Sequence, residues 1–492
     1  MKALFTLVFL IALSTSTTSQ SFLWAHSYDI NQSNEVAALT VHSNGAIYMA
    51  GVYGAPHTLP FIGNAYLVKT DLLGQTEWTE YLSGSLQIGD IAAVNNNIIV
   101  AGQSNGPFTY KGALYGQAGH YMFIMGIDQH GVVQWLHTDA QKTGREAKIS
   151  VGSDALFAVH VRRQSNIGDW VLIMNENGDI INSKLLSSTT TMITDISYYN
   201  DLVYLNGGFH GPAPSIMIDT IEIHRPTVEH ATFVLALNEN LIATWVTVDT
   251  TINNRDGRIV ANENGIFAYQ NVLRSPFTVR NKLKKLNFTG QLVAEVEIPF
   301  YTTSVTLYPD MVGTQDFLGI FAANAFSFDS HKVLIYDYDL NLLDEKVVDG
   351  PSDLYSGQIS WYENDLIITH VHSGNLNFDN ELSISYTGPA KKPYLARITN
   401  STAIGLEENI GDRFGLTIYP NPARDILYVS IPNHTGSPAI ISIMDQSGRK
   451  ILSETNSVGH TKINVNQLPA GLYLIRATSP IGSATSRILI VR

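Results

Sequence analysis

A four-part pattern repeats along most of the chain, from Ser21 to about Thr402, and constrains the fold more than any other feature. Each copy has an apolar segment that ends near glycine, a second apolar segment that ends in an acidic or amide residue, a glycine turn, and a tryptophan. The two clearest copies place these parts at residues 46–53, 65–71, 74 and 78, and at 97–102, 121–128, 131 and 135. Short apolar segments bounded by turn residues are typical of strands. The pattern therefore predicts an all-β fold.

The length of the repeat can be read from the residue that ends the third strand of each copy. These residues recur at intervals of about 47 to 63 positions, and they are Asp71, Asp128, Asn175, Asn238, Asn287, Asp339 and Thr399. Such intervals are typical of four-stranded propeller blades. Seven copies predict a seven-bladed β-propeller over residues 21–402.

Each of these residues is predicted to begin a tight hairpin turn. An Asp or Asn side chain can accept hydrogen bonds from the backbone just after it, and glycine adopts positive φ without strain. The glycines stand at the expected places, namely Gly74, Gly131, Gly178 and Gly290. We interpret these turns as scaffold.

The ring is predicted to close through the N-terminal segment Phe22–Tyr28. This segment resembles the fourth strand of a copy, with Trp24 where the other copies have Trp78, Trp135 and Trp245, whereas the last copy ends after its third strand near Ile398. Pairing the two would leave no open seam. The repeated tryptophans are predicted to pack between blades.

Composition excludes several classes of function. The chain of 492 residues has a formal net charge of −13 and no cysteine. The charge argues against nucleic acid as a partner, since phosphate backbones attract dense Lys and Arg. The lack of cysteine excludes disulfides, thiolate nucleophiles and cysteine-based metal sites.

The first 20 residues have the layout of a secretory signal peptide. Lys2 precedes an apolar stretch over residues 3–13, followed by small polar residues up to Ser19. The apolar stretch is about half the length that spans a bilayer. We expect cleavage near Ser19 or Gln20, and no membrane span in the mature chain.

A different pattern begins after a linker at residues 403–415. Alternating apolar strands over residues 416–492 are separated by Pro-Asn-Pro, Gln-Ser-Gly and Pro-Ala-Gly turns. This predicts a small, Ig-like β-sandwich.

The order of motifs in this segment resembles that of type A sorting domains of the type IX secretion system. The matching residues are Tyr419, Pro420, Asn421, Pro422, Asp445, Gly448, Arg449, Gly471 and Tyr473. The resemblance implies the type IX machinery as partner, and a protein that is secreted or attached to the outer surface of a Gram-negative, Bacteroidetes-type bacterium. The preceding repeats resemble those of exported bacterial seven-bladed propellers, which suggests the fold rather than an activity.

No catalytic, metal or cofactor site is predicted from the motifs. His370 and His372 are alternate residues of one strand and so point the same way, but the sequence names no third metal ligand. The acidic residues at 337–349 lack the spacing of a calcium loop. A Walker phosphate loop is missing from the sequence.

The variable loops between second and third strands are the predicted binding surface. These segments, Gly54–Gly63, Gly106–Gly119 and Gly208–Glu229, would gather on one face, and binding sites favour loops on rigid scaffolds. The candidate residues are Tyr53, Phe61, Phe108, Tyr110, Tyr115, Phe209 and His210.

Three functions remain open from the sequence. The first is a non-catalytic exported propeller that binds a glycan, peptide or surface partner through this loop face. The second is a propeller enzyme, a hydrolase or lyase acting on an extracellular polymer, and the third is a structural part of a cell-surface assembly. Converging ionisable side chains would favour the enzyme, and an aromatic loop face would favour binding.

Removal of residues 410–492 tests the division into two parts. We expect the shortened chain to stay folded, because the propeller would hold its own core, but to lose export. Circular dichroism of the purified chain and secretion assays in the host would measure the two effects. An unfolded product would show that the boundary is misplaced.

Overall fold

The computed structural model describes the chain from residue 20 to residue 491 with gaps. The described residues are 20–30, 33–54, 63–140, 144–163, 169–186, 191–209, 215–224, 231–249, 257–274, 278–302, 309–323, 330–351, 357–388, 390–400, 417–419, 421, 423–430, 439–444, 450–456, 460–479 and 482–491. The predicted signal peptide, apart from its last residue, and the predicted linker at 403–415 lie outside these ranges.

The described residues are all-β, as predicted, and contain no helix. They divide into a first unit, Met1–Asn400, and a second unit, Ser401–Arg492. The strands of the first unit are β1 (Gln20–Ser27), β2 (Ser33–Val41), β3 (Ile47–Tyr53), β4 (Gly63–Thr70), β5 (Thr76–Val94), β6 (Asn97–Asn105), β7 (Phe108–Tyr110), β8 (Ala113–Tyr115), β9 (His120–Asp128), β10 (Val133–Asp139), β11 (Gly144–Val151), β12 (Leu156–Arg163), β13 (Asp169–Asn175), β14 (Ile180–Leu186), β15 (Thr191–Tyr199), β16 (Leu202–Phe209), β17 (Ser215–Ile218), β18 (Ile221–His224), β19 (Thr232–Leu237), β20 (Ala243–Asp249), β21 (Arg258–Asn262), β22 (Gly265–Arg274), β23 (Thr278–Leu286), β24 (Leu292–Thr302), β25 (Asp310–Gly313), β26 (Leu318–Ala323), β27 (Ser330–Tyr336), β28 (Leu342–Asp349), β29 (Gln358–Tyr362), β30 (Asp365–His372), β31 (Leu376–Phe378), β32 (Leu382–Ile384) and β33 (Lys392–Asn400).

The first unit is built from antiparallel four-strand modules that follow one another along the chain. The modules are β2-β3-β4-β5, β5-β6-β9-β10, β11-β12-β13-β14, β15-β16-β19-β20, β21-β22-β23-β24, β25-β26-β27-β28 and β29-β30-β33-β1. The long β5 belongs to two modules and joins them into one sheet. Within the described residues no sheet closes on itself. Instead, the first strand of each module contacts the first strand of the next, and β29 contacts β2.

One turn geometry connects the third and fourth strands of successive modules. The side-chain Oδ1 of an Asp or Asn accepts hydrogen bonds of 2.8–3.1 Å from the amides two and four residues later, at Asp71, Asp128, Asn175, Asn238, Asn287 and Asp337. The residue three positions later has positive φ, which glycine adopts most easily. Leu241 and Leu340 fill this position in two turns, and their buried side chains pack into the core.

The structure corrects two of the residues that measured the repeat. Asp337, not Asp339, begins the sixth turn, and the amide of Asp339 donates to it. The sequence misled because Leu340 replaces the glycine that marks four of the other five turns. Thr399 begins no turn: it lies within β33, opposite Ser21 of β1.

Each repeated tryptophan joins its module to the next, as predicted. Its indole Nε1 donates to the carbonyl of the residue directly after the turn Asp or Asn of the following module. The pairs are Trp24 with Leu72 (3.1 Å), Trp78 with Gln129 (3.1 Å), Trp135 with Glu176 (2.8 Å) and Trp245 with Phe288 (3.0 Å). Each bond joins an indole of one module to the backbone of the next and so fixes how neighbouring modules pack.

Other residues make the same bond where the tryptophan is missing. Asn182 occupies the tryptophan position of β14 and donates from Nδ2 to the carbonyl of Glu239 at 3.2 Å. In β24 the tryptophan position is occupied by Ala294, which cannot donate. Its cross-strand partner Lys285 donates instead, from Nζ to the carbonyl of Tyr338 at 2.8 Å. The carbonyl of the residue directly after the turn Asp or Asn therefore accepts a hydrogen bond from the preceding module even where the tryptophan of the repeat is missing.

The segment predicted to close the ring forms β1 and pairs antiparallel with β33. A bulge between Phe22 and Trp24 matches the bulges beside the other repeated tryptophans. The backbone N–H groups of Gln20 and Phe22 donate to Asp344 at 2.8 Å and to Glu381 at 2.7 Å. β1 is thus held by a side chain of the preceding module and by one of the hairpin β31–β32, as well as by β33.

The second unit is a small β-sandwich. Its strands are β34 (Thr417–Tyr419), β35 (Ile426–Ser430), β36 (Ala439–Met444), β37 (Lys450–Asn456), β38 (His460–Asn464), β39 (Gly471–Ser479) and β40 (Gly482–Ile490). The sheets β34-β35-β38 and β37-β36-β39-β40 share one apolar core, to which Leu427, Val429, Ile443 and Ile475 contribute.

Replacement of Asn238 by alanine tests the turn. We expect Asn238→Ala to lower the free energy of unfolding by about 1–2 kcal/mol, because two turn amides lose their acceptor. Chemical denaturation would measure the change. The exposed neighbour Asn240 offers a matched control, and Asn240→Ala should stay within about 0.5 kcal/mol of the parent. Equal effects of the two substitutions would contradict the role of the side chain.

Candidate functional site

The seven residues of the predicted loop face differ in burial, and not all of them lie within the described residues. Phe61 and His210 lie outside the described residues, and Phe209 ends β16 with a side chain that is also outside them. Tyr53 and Tyr115 are half-buried. The structure brings Tyr115 against Phe108 and Tyr110, with ring centroids 6.0 and 6.5 Å away, whereas Tyr53 packs against Tyr81.

Phe108 and Tyr110 are buried, although the sequence suggested a binding loop for them. They lie on β7, which pairs with β5 and with β8. Phe108 contacts Phe123 with ring centroids 5.4 Å apart, and the Tyr110 hydroxyl donates to the carbonyl of Gly131 at 2.8 Å. This loop therefore folds back against the outer strands and fills a gap there with aromatic side chains.

Two other loops between second and third strands behave similarly. The hairpin β17–β18 reaches the next strand connection, where Asp219 accepts from the amide of Ala243 at 2.7 Å and pairs with Lys184. In the hairpin β31–β32, the amide of Asp379 donates to the carbonyl of Val347 at 2.8 Å. The fourth strands of neighbouring modules lie apart from each other, and these hairpins occupy the space between them.

An exposed surface remains on the outside of β5, β7 and β8. Tyr81 is 43% exposed and Leu114 is 72% exposed. Thr109 lies between Ser83 and Leu114 in the strand pairing, and all three side chains are exposed. Tyr53 packs edge-on against Tyr81 with centroids 5.3 Å apart. We call Tyr53, Tyr81, Ser83, Thr109 and Leu114 the hairpin surface.

A second group of polar residues lies on the first strands of the modules. The same register position is held in turn by Ala38, Asp90, Lys148, Asp195, Arg258, Asp310 and Gln358. Negative and positive side chains alternate over the five central positions. We call Asp90, Lys148, Asp195, Arg258 and Asp310 the first-strand charges.

The carboxylates among the first-strand charges hold neighbouring modules together. Oδ2 of Asp90 accepts from the amide of Ile149 at 2.9 Å, and Asp195 and Asp310 accept in the same way from the next modules, at 2.8 and 2.9 Å. The Nε of Arg258 lies 3.4 Å from Oδ1 of Asp310. These acids alternate with cations and bind amides, so the arrangement differs from the facing carboxylate pair of a glycosidase.

Burial raises the pKa of two of these acids, Asp90 and Asp195. It raises the pKa of Asp90 to about 6, against the lowering effects of Lys148 and the Ile149 amide, and the charges of Asp310 and Asp195 raise it further. Burial also raises the pKa of Asp195, while Arg258 lowers it. Sequence reasoning missed the group because only the alternation of charge, at one position per copy, marks it.

The two histidines considered for a metal site have different surroundings. His370 is buried beside His331, with ring centroids 4.4 Å apart, and burial lowers the pKa of His331 well below its ordinary value. His372 has Nε2 2.8 Å from Oγ of Ser27 and Nδ1 2.7 Å from the carbonyl of Gly374. The described residues contain no group of three or more His, Asp or Glu arranged to hold a metal ion.

The second unit places some of the sorting residues. Tyr419 is 48% exposed and stacks on Tyr428, its cross-strand partner, with centroids 5.5 Å apart. Tyr473 is buried, and its hydroxyl donates to the carbonyl of Pro469 at 3.0 Å. Asn421 is exposed and Gly471 begins β39. Pro420, Pro422, Asp445, Gly448 and Arg449 lie outside the described residues.

Comparison with known proteins identifies the second unit. Residues 417–491 match the family described as "Secretion system C-terminal sorting domain". This type IX sorting domain indicates a protein that is secreted or attached to the outer surface of a Gram-negative bacterium. A search of curated protein sequences gave no match.

The solved structures that resemble the chain share little sequence with it. A quinohemoprotein alcohol dehydrogenase from Pseudomonas putida HK5 has a TM-score of 0.38 and 8% identity, over 82% of this chain and 79% of that one. A subtype N10 neuraminidase-like protein of A/little yellow-shouldered bat/Guatemala/060/2010 has 0.37 and 8%, over 63% and 93%. BBS1N in complex with ARL6DN has 0.41 and 9%, over 79% and 99%. At these scores the resemblance says nothing about activity.

Among the described residues, no helix has the length and apolar character needed to cross a bilayer.

Substitution of Asp90 tests the electrostatics of the first strands. Its folded pKa of about 6 lies above the value of about 3.9 in an unfolded chain, so its contribution to stability is present below pH 4 and is lost as the pH rises to 6. Asp90→Asn, which keeps an acceptor oxygen, should remove this part of the pH dependence. Denaturation of both proteins at pH 4, 5, 6 and 7 would show it. A stability difference that is constant over this range would contradict the raised pKa.

Proposed function

We propose that this exported chain is a closed seven-bladed propeller that binds an extracellular glycan through the hairpin surface. The type IX sorting unit delivers it to the outside of the cell. The hairpin surface carries the proposal because it is the place where aromatic, aliphatic and hydroxyl side chains meet on an exposed, three-stranded edge.

The proposed ring rests on three features of the first unit. The first strands contact one another in cyclic order, and β1 supplies the strand that the last module lacks. Trp24 of the last module donates a hydrogen bond to the carbonyl of Leu72 in the first module. Trp245 makes the same kind of bond to Phe288 between two modules inside the chain. A propeller with both chain ends in one blade resists opening at that blade.

Matched substitutions test the closure. We expect Trp24→Ala to lower the free energy of unfolding by about 3–5 kcal/mol, as the loss of a large core side chain does. Trp245→Ala, at a junction away from the chain ends, provides the comparison, and its half-buried side chain should make its loss smaller than that of the buried Trp24. Thermal and chemical denaturation would measure them. A loss below about 1 kcal/mol for Trp24→Ala alone would show that β1 is dispensable.

The composition of the hairpin surface favours a glycan. The exposed ring of Tyr81 offers a flat apolar face against which a sugar ring can pack, and Ser83 and Thr109 present hydroxyls that can exchange hydrogen bonds with sugar hydroxyls. Glu80, the residue before Tyr81, and Lys111, two residues after Thr109, form an ion pair of 3.0 Å with each other. A neutral polar ligand therefore fits this surface better than a charged one.

Binding by the full mature chain tests the proposed function. A glycan array and a peptide array would be probed with the parent and with Tyr81→Ala, which we expect to weaken glycan binding about tenfold or more, as the loss of a central aromatic contact does. Phe288→Ala is the control, since Phe288 is 40% exposed on another module. Retention on peptides alone, or equal loss in both variants, would overturn the glycan proposal.

A further inference from the structure

A serine and a histidine meet at the end of the last module, away from the hairpin surface. Ser27 is the last residue of β1 and is exposed, whereas His372 ends β30 and is fully buried. Oγ of Ser27 lies 2.8 Å from Nε2 of His372. A hydroxyl at hydrogen-bond distance from an imidazole is the geometry needed for removal of its proton.

The orientation of His372 suits it to act as a base. The Gly374 carbonyl, 2.7 Å from Nδ1, can only accept a hydrogen bond, so Nδ1 carries the proton in the neutral ring. Nε2 then has a free lone pair directed at Ser27. Burial lowers the pKa of His372, the Gly374 carbonyl opposes this, and the charge of Lys392 lowers it further, so the neutral base form prevails at pH 7.

A cation stands beside the pair. Lys392 of β33 is the register partner of His372, and Ser27 pairs with Tyr394 two residues further along the same strand. Nζ of Lys392 lies 2.7 Å from Asp29 and 5.3 Å from the ring centroid of Tyr386. Asp29 balances part of this charge, and the remainder lowers the pKa of His372.

We propose that Ser27 and His372 form a nucleophile and base that hydrolyse short carboxylic esters, such as acetyl groups carried on a larger molecule. Ser27 Oγ attacks the ester carbonyl carbon while Nε2 of His372 takes the hydroxyl proton. The bond to the leaving alcohol breaks, and His372 returns the proton to that alcohol. Water then attacks the acyl–serine ester by the same route, which releases the carboxylic acid and restores Ser27.

The exposure of Ser27 decides the class of substrate. A nucleophile on an open strand end reaches a small acyl group on a bulky carrier, whereas long acyl chains need a deep apolar pocket. The site is independent of the hairpin surface, since Ser27 and His372 belong to the last module. Glycan binding and ester hydrolysis can therefore be tested separately on the same protein.

Labelling of the full mature chain tests the nucleophile. A fluorophosphonate probe followed by peptide mass spectrometry should modify Ser27, and Ser27→Ala should lose the label. Hydrolysis of p-nitrophenyl acetate should fall at least tenfold in Ser27→Ala and in His372→Gln, and stay unchanged in Ser183→Ala, an exposed strand serine of another module. No label at Ser27, together with unchanged hydrolysis in Ser27→Ala, would overturn the proposal.

The pH profile distinguishes a base from a structural hydrogen bond. With Asp29, Lys392, Tyr386 and Tyr394 as the titratable groups facing the pair, hydrolysis should be constant through neutral pH and decline only below pH 6.5, where His372 gains a proton. A rate that follows hydroxide concentration throughout would contradict a histidine base.

A cysteine substitution gives a second test that does not depend on His372 variants folding. The chain contains no cysteine, so Ser27→Cys introduces a single thiol, and Ser183→Cys provides the matched control. At pH 7 a thiol beside a neutral base should react with iodoacetamide about tenfold faster than the control thiol. Equal alkylation rates in the folded proteins would show that His372 does not activate position 27.

Discussion

Each turn of the first unit has a backbone carbonyl, on the residue directly after the turn Asp or Asn, that accepts a hydrogen bond from the preceding module. These hydrogen bonds determine how the sheets of the first unit are arranged. The turn Asp or Asn fixes the loop, and the loop presents that carbonyl to a donor from the preceding module. The donor is indole in four cases, and in others the amide of Asn182 or the ammonium of Lys285. Since the acceptor is backbone, it tolerates changes of sequence around it, and only a donor of suitable reach must be retained.

Much of this architecture could be predicted from the sequence because the local chemistry is unambiguous. Asp71 followed by Gly74 specifies a turn without any knowledge of the rest of the fold, and Trp78 follows at a fixed distance. The prediction failed at Asp339, where Leu340 replaces the marker glycine and burial of the leucine compensates for an unfavourable φ. The roles of Asn182 and Lys285 were equally hidden, because neither resembles a tryptophan.

The candidate sites were less predictable than the fold. Phe108 and Tyr110 looked like loop aromatics because the sequence cannot say whether a long connection projects from a face or folds along the side. The pairing of Ser27 with His372 joins the first strand of the unit to one of its last, and no local pattern connects them. The first-strand charges alternate only when modules are aligned in space, so their relation appears after the register is known.

β1 comes from the N-terminal end of the first unit but pairs with its last strand, β33, and this affects when the unit can finish folding. Gln20 bonds to a residue 324 positions away and Phe22 to one 359 positions away, so the contacts that secure this strand are among the least local in the chain. Contacts of such high sequence separation form late and slowly. A chain emerging from the ribosome must therefore wait for the last module before its first strand has a place to dock. Until that strand docks, the last module has three of its four strands.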